Sequence, residues 1–459
     1  MRILAIFFIS LSMNLLAVQA YPDAMPFPMA QKEKTYRISK PKYSQKTLDK
    51  DIHQYYQKWL AHYYRTYPAP YDNIGYIEGH VTGGYPDPWS DNQDSLGPMV
   101  SASEHTGYGM IIFAIMGEKE KYDSLVRLYL AHKHKENHMM NWVITQNHIA
   151  GTQEKDEIGS ATDGDMDIAY GLLMGAKQWP GKSPFAKSYM DMAKDMINGG
   201  IYSNLIHHES KRVQLGDWHD DDAPYTKWVT RSSDFMLDNL RAFAIYADAD
   251  KKPLFNDAID EIYNVLSVFN SEYNKGTGLA SDFIVGKYPR PAPEKFLDED
   301  FPTNHYSENA CRLPFRLAAD YLHSGDERSK AQLEKIASWI APMVNGKWEK
   351  VVDSYTLDGK DTIDWDQAES PYHDHQGKRN NLEALHFSSG LIASQIVRKD
   401  GKKDLSKGWK FLRQAHAYGT ESRFLVHEGK TLPLQDAYFK DTLALLNMMV
   451  ISGNWWFPG

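Results

Sequence analysis

The sequence predicts an all-α fold, and two observations lead there. Twelve segments carry apolar residues at helical spacing, at 48–64, 108–116, 121–134, 166–178, 185–198, 234–247, 254–270, 309–323, 329–343, 384–397, 404–416 and 437–452. Strand-like alternation is scarce, with 211–215 and 350–355 as possible short hairpin arms. Helices with no strands between them bury their apolar faces on one another. Pairs alternating between an inner and an outer layer would close into a toroid, leaving the loops at one end free to build a site. A solenoid is the competitor, but repeat spacing is irregular and no consensus recurs. No domain boundary is expected within 46–459.

In order along the chain, Arg2, an apolar run over 3–18 and the small-residue ending Val18-Gln19-Ala20 read as a secretory signal over 1–20. The run is short for a membrane span, and no later segment is apolar for long enough to cross a bilayer. A secreted or periplasmic, soluble protein is expected. Residues 21–45 are rich in Pro, Lys and Tyr without a period and read as an arm. The first helix shows its stripe in Ile52, Tyr55, Tyr56, Trp59, Leu60 and Tyr63. Residues 68–102, full of Gly, Pro, Asp and Asn, read as loop.

The bulk numbers narrow the partners. Without Arg2 the chain has 50 basic residues against 60 acidic, a net charge of −10. That disfavours nucleic acid and anionic membranes and permits neutral or cationic partners. Cys311 is the only cysteine, so stability must come from the core rather than from disulfides. Set among Ala310 and Leu313 at the start of an apolar helical pattern, it reads as core rather than nucleophile. Twelve Trp and 28 Tyr fit a large core, and equally rings that stack on sugar faces.

Three stretches hold candidate chemistry. Ser103-Glu104-His105-Thr106-Gly107-Tyr108-Gly109-Met110 places a carboxylate at a helix mouth ahead of an apolar run. Such a carboxyl, partly wrapped in apolar neighbours, can hold and release a proton. Ser160-Ala161-Thr162-Asp163-Gly164-Asp165-Met166-Asp167 crowds three acids into five positions. Thr162 and Asp165 have capping-box spacing, which accounts for Asp165. A calcium loop counted from Asp163 fails, because Ile168 and Met174 stand where Gly and Glu are required. A carboxylate aimed at a ligand hydroxyl is the functional alternative. The third stretch runs from the Pro-rich 288–293 through Phe296-Leu297-Asp298-Glu299-Asp300 to Glu308-Asn309-Ala310-Cys311-Arg312. It reads either as a solvated acidic loop or as one closing over a groove. Arg312 and Arg316, one helical turn apart, could orient a carboxylate, and Pro314 suits a first turn.

Weaker candidates are His219-Asp220-Asp221-Asp222, which reads as a turn, and His373-Asp374-His375, which lacks a spaced third ligand. No HExxH, phosphate loop or GxSxG occurs, and no metal or cofactor is expected. Asp217-Trp218 and the segment Arg231-Ser232-Ser233-Asp234-Phe235 combine acids with aromatics, as a sugar cleft would.

Glu104 with Gly107-Tyr108-Gly109-Met110, the run Ala161-Thr162-Asp163-Gly164-Asp165 to Ile168-Ala169-Tyr170, and 231–243 resemble the family 8 glycoside hydrolases. The likeness continues through Gly278-Leu279-Ala280-Ser281-Asp282-Phe283, 296–299, Asn309-Ala310-Cys311-Arg312 and Gly453-Asn454-Trp455-Trp456. It implies an (α/α)6 barrel and inverting hydrolysis of a β-1,4-linked glucan-type chain, with chitosan or mixed-linkage glucan as leading substrates. By the same resemblance Glu104 is the general acid, and Asp163 binds and distorts the sugar. Many members have an aspartate base where this chain has Asn309. One branch takes its base from a preceding loop, which here points to Glu299, with Glu308 as rival. Trp218, Tyr108 and Phe235 are candidate stacking platforms, with a structural role the alternative for Tyr108, which lies inside the helix, and Arg231, Asp234, Asn309 and Arg312 are candidate substrate contacts. Three departures bear on substrate choice: His105-Thr106 after the acid, Phe235 for a commoner Trp or Tyr, and an apparent insertion around 364–383. A polysaccharide-binding barrel without catalysis and a polysaccharide lyase are the alternatives, and a monomer is expected.

Overall fold

Burial alternates from helix to helix. Along α1 (Gln45–Tyr63), Leu48, Ile52, Tyr55, Tyr56, Trp59 and Tyr63 form one buried stripe, while α2 (Ser103–Met116) is buried at every position but Glu104 and Met116. A striped helix has one face to solvent; one that is apolar all round must be enclosed. The same alternation continues through α3 (Lys119–His132, striped), α4 (Thr162–Gln178, enclosed), α5 (Tyr189–Met196), α6 (Leu237–Tyr246), α7 (Lys252–Glu272), α8 (Leu313–Ser324), α9 (Glu327–Val344), α10 (Leu385–Ala393), α11 (Lys402–Leu412) and α12 (Ala437–Ser452). Even-numbered helices make the inner ring and odd-numbered ones the outer, an (α/α)6 barrel. The computed structural model describes residues 23–30, 38–79, 99–145, 159–218, 226–299, 302–361, 384–417, 423–427, 430–434 and 437–459. Among these, one contiguous core draws residues from Met29 to Trp456.

The expected helices are present with shifted ends. The helix expected over 108–116 begins at Ser103, because its two glycines interrupt the apolar pattern without interrupting the helix. The one expected over 185–198 continues from α5 into a π-helix, Ile197–Leu205. Pro314 does sit in the first turn of α8. The two expected hairpin arms reduce to isolated bridges, Ile206 with Val213 and Tyr355 with Tyr306 and Asp361. Part of the expected 68–102 loop is instead strand, β2 (Gly75–Ile77), paired with β1 (Tyr64–Thr66), and β3 (Met99–Ala102). Strands of three or four residues are too short to show an alternation.

These small sheets gather the loops that feed the inner helices. β3 runs directly into α2 and pairs with β4 (Val143–Thr145). A three-stranded sheet joins β5 (Thr230–Arg231), β6 (Phe283–Val285) and β7 (Arg290–Pro291). The N-terminal arm is tied down where described: Met29 and Ala30 N–H donate to Asn454 Oδ1 at 3.0 and 3.2 Å, and Trp179 donates to Asp23 at 2.8 Å. No helix among the described residues is long and apolar enough to cross a membrane.

Candidate active site

The site begins with two glycines. A Cβ on Gly164 would lie 2.1 Å from Ser103 Oγ and 2.6 Å from Glu104 N, and one on Gly107 would lie 2.7 Å from Asp167 Cβ. Only glycine lets the first turns of α2 and α4 approach this closely. The consequence is that Glu104 and Asp163, each in the first turn of its helix, are brought together at one end of the barrel. Neither helix has a side-chain cap. The capping box expected of Thr162 and Asp165 does not form: Thr162 Oγ1 donates to the Gln214 carbonyl at 2.6 Å, and Asp165 Oδ1 accepts the Met140 N–H at 2.8 Å. Tertiary partners displace the local ones.

Arg312 joins the two carboxylates. Its Nη1 donates to Glu104 Oε2 at 2.6 Å and to Asp163 Oδ2 at 2.7 Å. Arg231 also reaches Asp163 Oδ2, at 3.2 Å, and binds Asp234 at 3.1 Å. One turn along α8, Arg316 makes a two-pronged contact with Asp167 at 3.1 and 2.7 Å. The cluster thus holds four carboxylates against three guanidiniums, one negative charge in excess in a place nearly closed to water. A buried excess charge is removed most cheaply by a proton.

Burial raises both Asp234 and Glu104, and of the two only Glu104 keeps part of its side chain open to a ligand. Burial raises Glu104 to about 7, and the Asp163 charge adds to this, against the pull of Arg312. Burial also presses on Asp163, but Arg231, Arg312 and the Gly164 N–H outweigh it and hold it well below the usual range. The short Arg312–Glu104 contact does not contradict the raised value, because Arg312 shares its charge with Asp163, which has a second cation. Below pH 7 the two neighbouring carboxyls are in opposite protonation states, which suits one to proton donation and the other to gripping a ligand.

The turn before α8 aims Arg312. Asn309 Oδ1 accepts from Arg312 Nη2 at 2.8 Å. The turn is itself fixed by Asp282, whose Oδ1 accepts the N–H groups of Ser307 (3.0 Å) and Ala310 (2.8 Å). Its Oδ2 accepts the N–H of Asn309 (3.0 Å) and Asn309 Nδ2 (3.4 Å). Fully enclosed, Asp282 is pushed up to about 7 by burial in spite of these bonds. Asp282 was not among the expected site residues. Its signal was there: a lone acid inside the apolar run 278–285 has to be buried with partners.

The two candidate bases lie on the chain between β7 and α8. Glu299 is half-buried at the end of a 3-10 turn, Phe296–Asp298. Phe296 packs on Phe283 with ring centroids 5.5 Å apart, and its N–H donates to Thr303 Oγ1 at 3.2 Å. The Glu299 loop therefore hangs on β6, the strand that pairs with Arg231. Lys295 and Leu297 both take left-handed backbone, at φ 54° and 58°, a conformation uncommon outside glycine. Glu308 Oε2 lies 3.2 Å from His386 Nε2 on α10.

Among the aromatic candidates, Trp218 is 53 % exposed, and its indole N–H donates to the Ser160 carbonyl at 3.1 Å, next to the start of α4. Asp217 secures it by accepting the Ser160 N–H at 2.7 Å. Tyr108 and Phe235, expected as stacking platforms, are 0 % and 1 % exposed. Both rings belong to the core and offer no face to a sugar. Asp234, Asn309 and Arg312 are also buried and act on other site residues. His105 does not line a groove. Its ring packs at a tilt of 45° on Tyr438, with centroids 4.0 Å apart, faces the Ile77 carbonyl and fills the space left by Gly79, tying the acid's helix to β2 and α12. No metal-binding group of His, Cys, Asp or Glu occurs among the described residues. Residues 219–222, 364–383 and Asp300 lie outside the described residues, as does the side chain of Asp298.

Comparison with known proteins gives the family of this barrel. The model of the family "Glycosyl hydrolases family 8" matches residues 92–329. An endoglucanase of Bacillus sp. (strain KSM-330) is 32 % identical over 443 residues, 95 % of this chain and 82 % of that protein. A beta-glucanase of Niallia circulans is 31 % identical over 439 residues, 94 % of this chain and 91 % of its own. The solved apo structure of a beta-1,3-1,4-glucanase from Paenibacillus sp. X4 is similar with a TM-score of 0.75 at 28 % identity, covering 95 % of this chain and 99 % of that one. With its barrel and its Arg312-bridged acids, this chain belongs to family 8 of the glycosyl hydrolases and is a glycoside hydrolase.

Proposed function

We propose that this enzyme cleaves internal β-1,4 bonds of a glucan-type polysaccharide with inversion, acting as an exported endoglucanase. The observation that carries the mechanism is the split between Glu104, held near 7, and Asp163, held ionised, on either side of Arg312. Glu104 gives its proton to the departing glycosidic oxygen as the bond to the anomeric carbon breaks. A water attacks that carbon from the opposite face and loses a proton to Glu299, leaving an α-configured reducing end. Asp163 grips a hydroxyl of the distorted ring, and Trp218 stacks on a neighbouring sugar. Inversion needs the acid and base about 6.5–9.5 Å apart, with room for the water between them.

The names of the similar proteins, an endoglucanase, a beta-glucanase and a beta-1,3-1,4-glucanase, support cellulose or mixed-linkage glucan as substrate. Chitosan is the second candidate, on the acidic balance of the chain. A panel of lichenan, carboxymethyl-cellulose, chitosan and xylan, scored for reducing ends, separates these. Proton NMR of the earliest products should show the α anomer, and a first-formed β anomer would rule out inversion. Glu299→Gln should nearly abolish turnover with the fold intact. If Glu299→Gln stays active and Glu308→Gln does not, Glu308 is the base.

A further inference from the structure

Asn309 occupies the place where the family pattern often has an aspartate base, yet its surroundings give it a different task. Building on the acid–base reading above, we infer that Asn309 is a positioning residue: its side-chain amide couples the buried carboxylate of Asp282 to Arg312, and an aspartate here disables the site rather than supplying a base. Arg312 has only donors to offer, so the amide end facing it at 2.8 Å must be Oδ1. The Nδ2 end is then left toward Asp282 Oδ2, 3.4 Å away. An amide carries one acceptor and one donor end, and this position uses both. A carboxylate has no donor and cannot.

The consequences of a carboxylate at this position follow from what stands around it. One of its oxygens would face Asp282 Oδ2 across 3.4 Å, where two like charges do not both persist, so Asp282, already raised by burial, takes the proton and the charge stays at position 309. The other would compete for Arg312, which already serves Glu104 and Asp163 at 2.6 and 2.7 Å. Other charged and titratable groups acting on this corner include Asp234, Arg231, Arg316, Tyr108 and Tyr438 around Arg312 and Glu104, and Glu308, Cys311 and Tyr306 beside the turn. Drawing Arg312 toward position 309 removes cation from Glu104 and adds anion nearby. Both changes hold the Glu104 proton more tightly.

The test uses the full chain and four variants: Asn309→Asp, Asp282→Asn, the double variant, and Glu104→Gln as a control on the acid assignment. Reducing-end kinetics give kcat and the pH profile of kcat/KM. Asn309→Asp should lose about 10–100-fold in kcat, and its alkaline limb should move to higher pH by about one unit. Asp282→Asn should lose a similar factor, because its new NH2 would face the Asn309 N–H and Nδ2. In the double variant the two side chains exchange roles, with the amide introduced at position 282 donating to the carboxylate introduced at position 309. The combined loss should therefore be at least tenfold smaller than the product of the single losses. Wild-type or higher activity in Asn309→Asp, or an unmoved alkaline limb, overturns the coupling, and so do losses that multiply. If Asp282→Asn fails to fold, the limb of Asn309→Asp decides alone. Turnover retained in Glu104→Gln would sink the acid assignment instead, a result distinct from an unmoved limb with Glu104→Gln inactive.

Discussion

Replacing Gly164 by alanine sets two effects of opposite sign against each other. Alanine in place of a helical glycine ordinarily stabilises by up to about 1 kcal/mol. Here the new Cβ would sit 2.1 Å from Ser103 Oγ and 2.6 Å from both Glu104 N and Ser103 C. The hydroxyl can rotate away, but the backbone cannot. Relieving the backbone contact takes about 1 Å of separation between α2 and α4, and overpacking of this kind costs about 1–3 kcal/mol. The steric term wins, so Gly164→Ala should be destabilised by about 1–2 kcal/mol net in denaturant unfolding. The larger effect falls on catalysis, because the same 1 Å separates Glu104 and Asp163 from Arg312. A displacement of that size at reacting groups costs about 100-fold in kcat. Gly199→Ala is the control: its Cβ meets nothing closer than 3.4 Å, so kcat should hold and stability should stay level or rise by up to about 1 kcal/mol. Wild-type kcat in Gly164→Ala would refute the view that this crossing sets the site.

Other consequences can be checked alongside. Because Glu104 is raised in the folded state, from the ordinary 4.5 to about 7, the folded protein binds more protons than the unfolded one in that window. Its contribution therefore falls as pH rises from 4.5 through 7. Glu104→Gln should be more stable than the wild type by about 1–3 kcal/mol at pH 8, with no such gain at pH 4; equal unfolding midpoints at pH 8 would contradict the shift. Asp163 has the opposite sign: its lowered value adds stability that is present above its ordinary 3.8 and lost as pH falls through the folded value. Trp218→Ala removes a ring that is half exposed, so stability should stay within about 0.5 kcal/mol while KM for the polymer rises and kcat is little changed. A loss confined to kcat would remove Trp218 from substrate binding.

Much of the barrel was legible because an inner–outer architecture writes itself into the chain as alternating striped and fully apolar helices. Ile52, Tyr56, Trp59 and Tyr63 on α1 show the first kind and 110–115 on α2 the second. Glu104 and Asp163 were legible as acids at helix starts, and Arg312 as a cation able to orient a carboxylate. What local pattern could not supply was partnership across the ring. Thr162 and Asp165 had the spacing of a capping box, yet each found a partner 25 or more residues away. Tyr108 and Phe235 were aromatic and close in sequence to the acids, but ring direction depends on packing between helices, and both turned inward. Asp282 acts through backbone N–H groups 25 to 28 residues further on. Backbone donors carry no sequence signature, so only the isolation of an acid in an apolar run marked it.

Below pH 7 Glu104 should hold a proton while Asp163 next to it does not. Infrared difference spectroscopy of wild type minus Glu104→Gln, at about pH 5.5, midway between the ordinary and raised values, reads this without turnover. A protonated-carboxyl stretching band should be present in the wild type, be missing from the variant and fade as pH is raised through 7. A difference spectrum containing only carboxylate bands would mean that Glu104 is ionised and cannot be the proton donor.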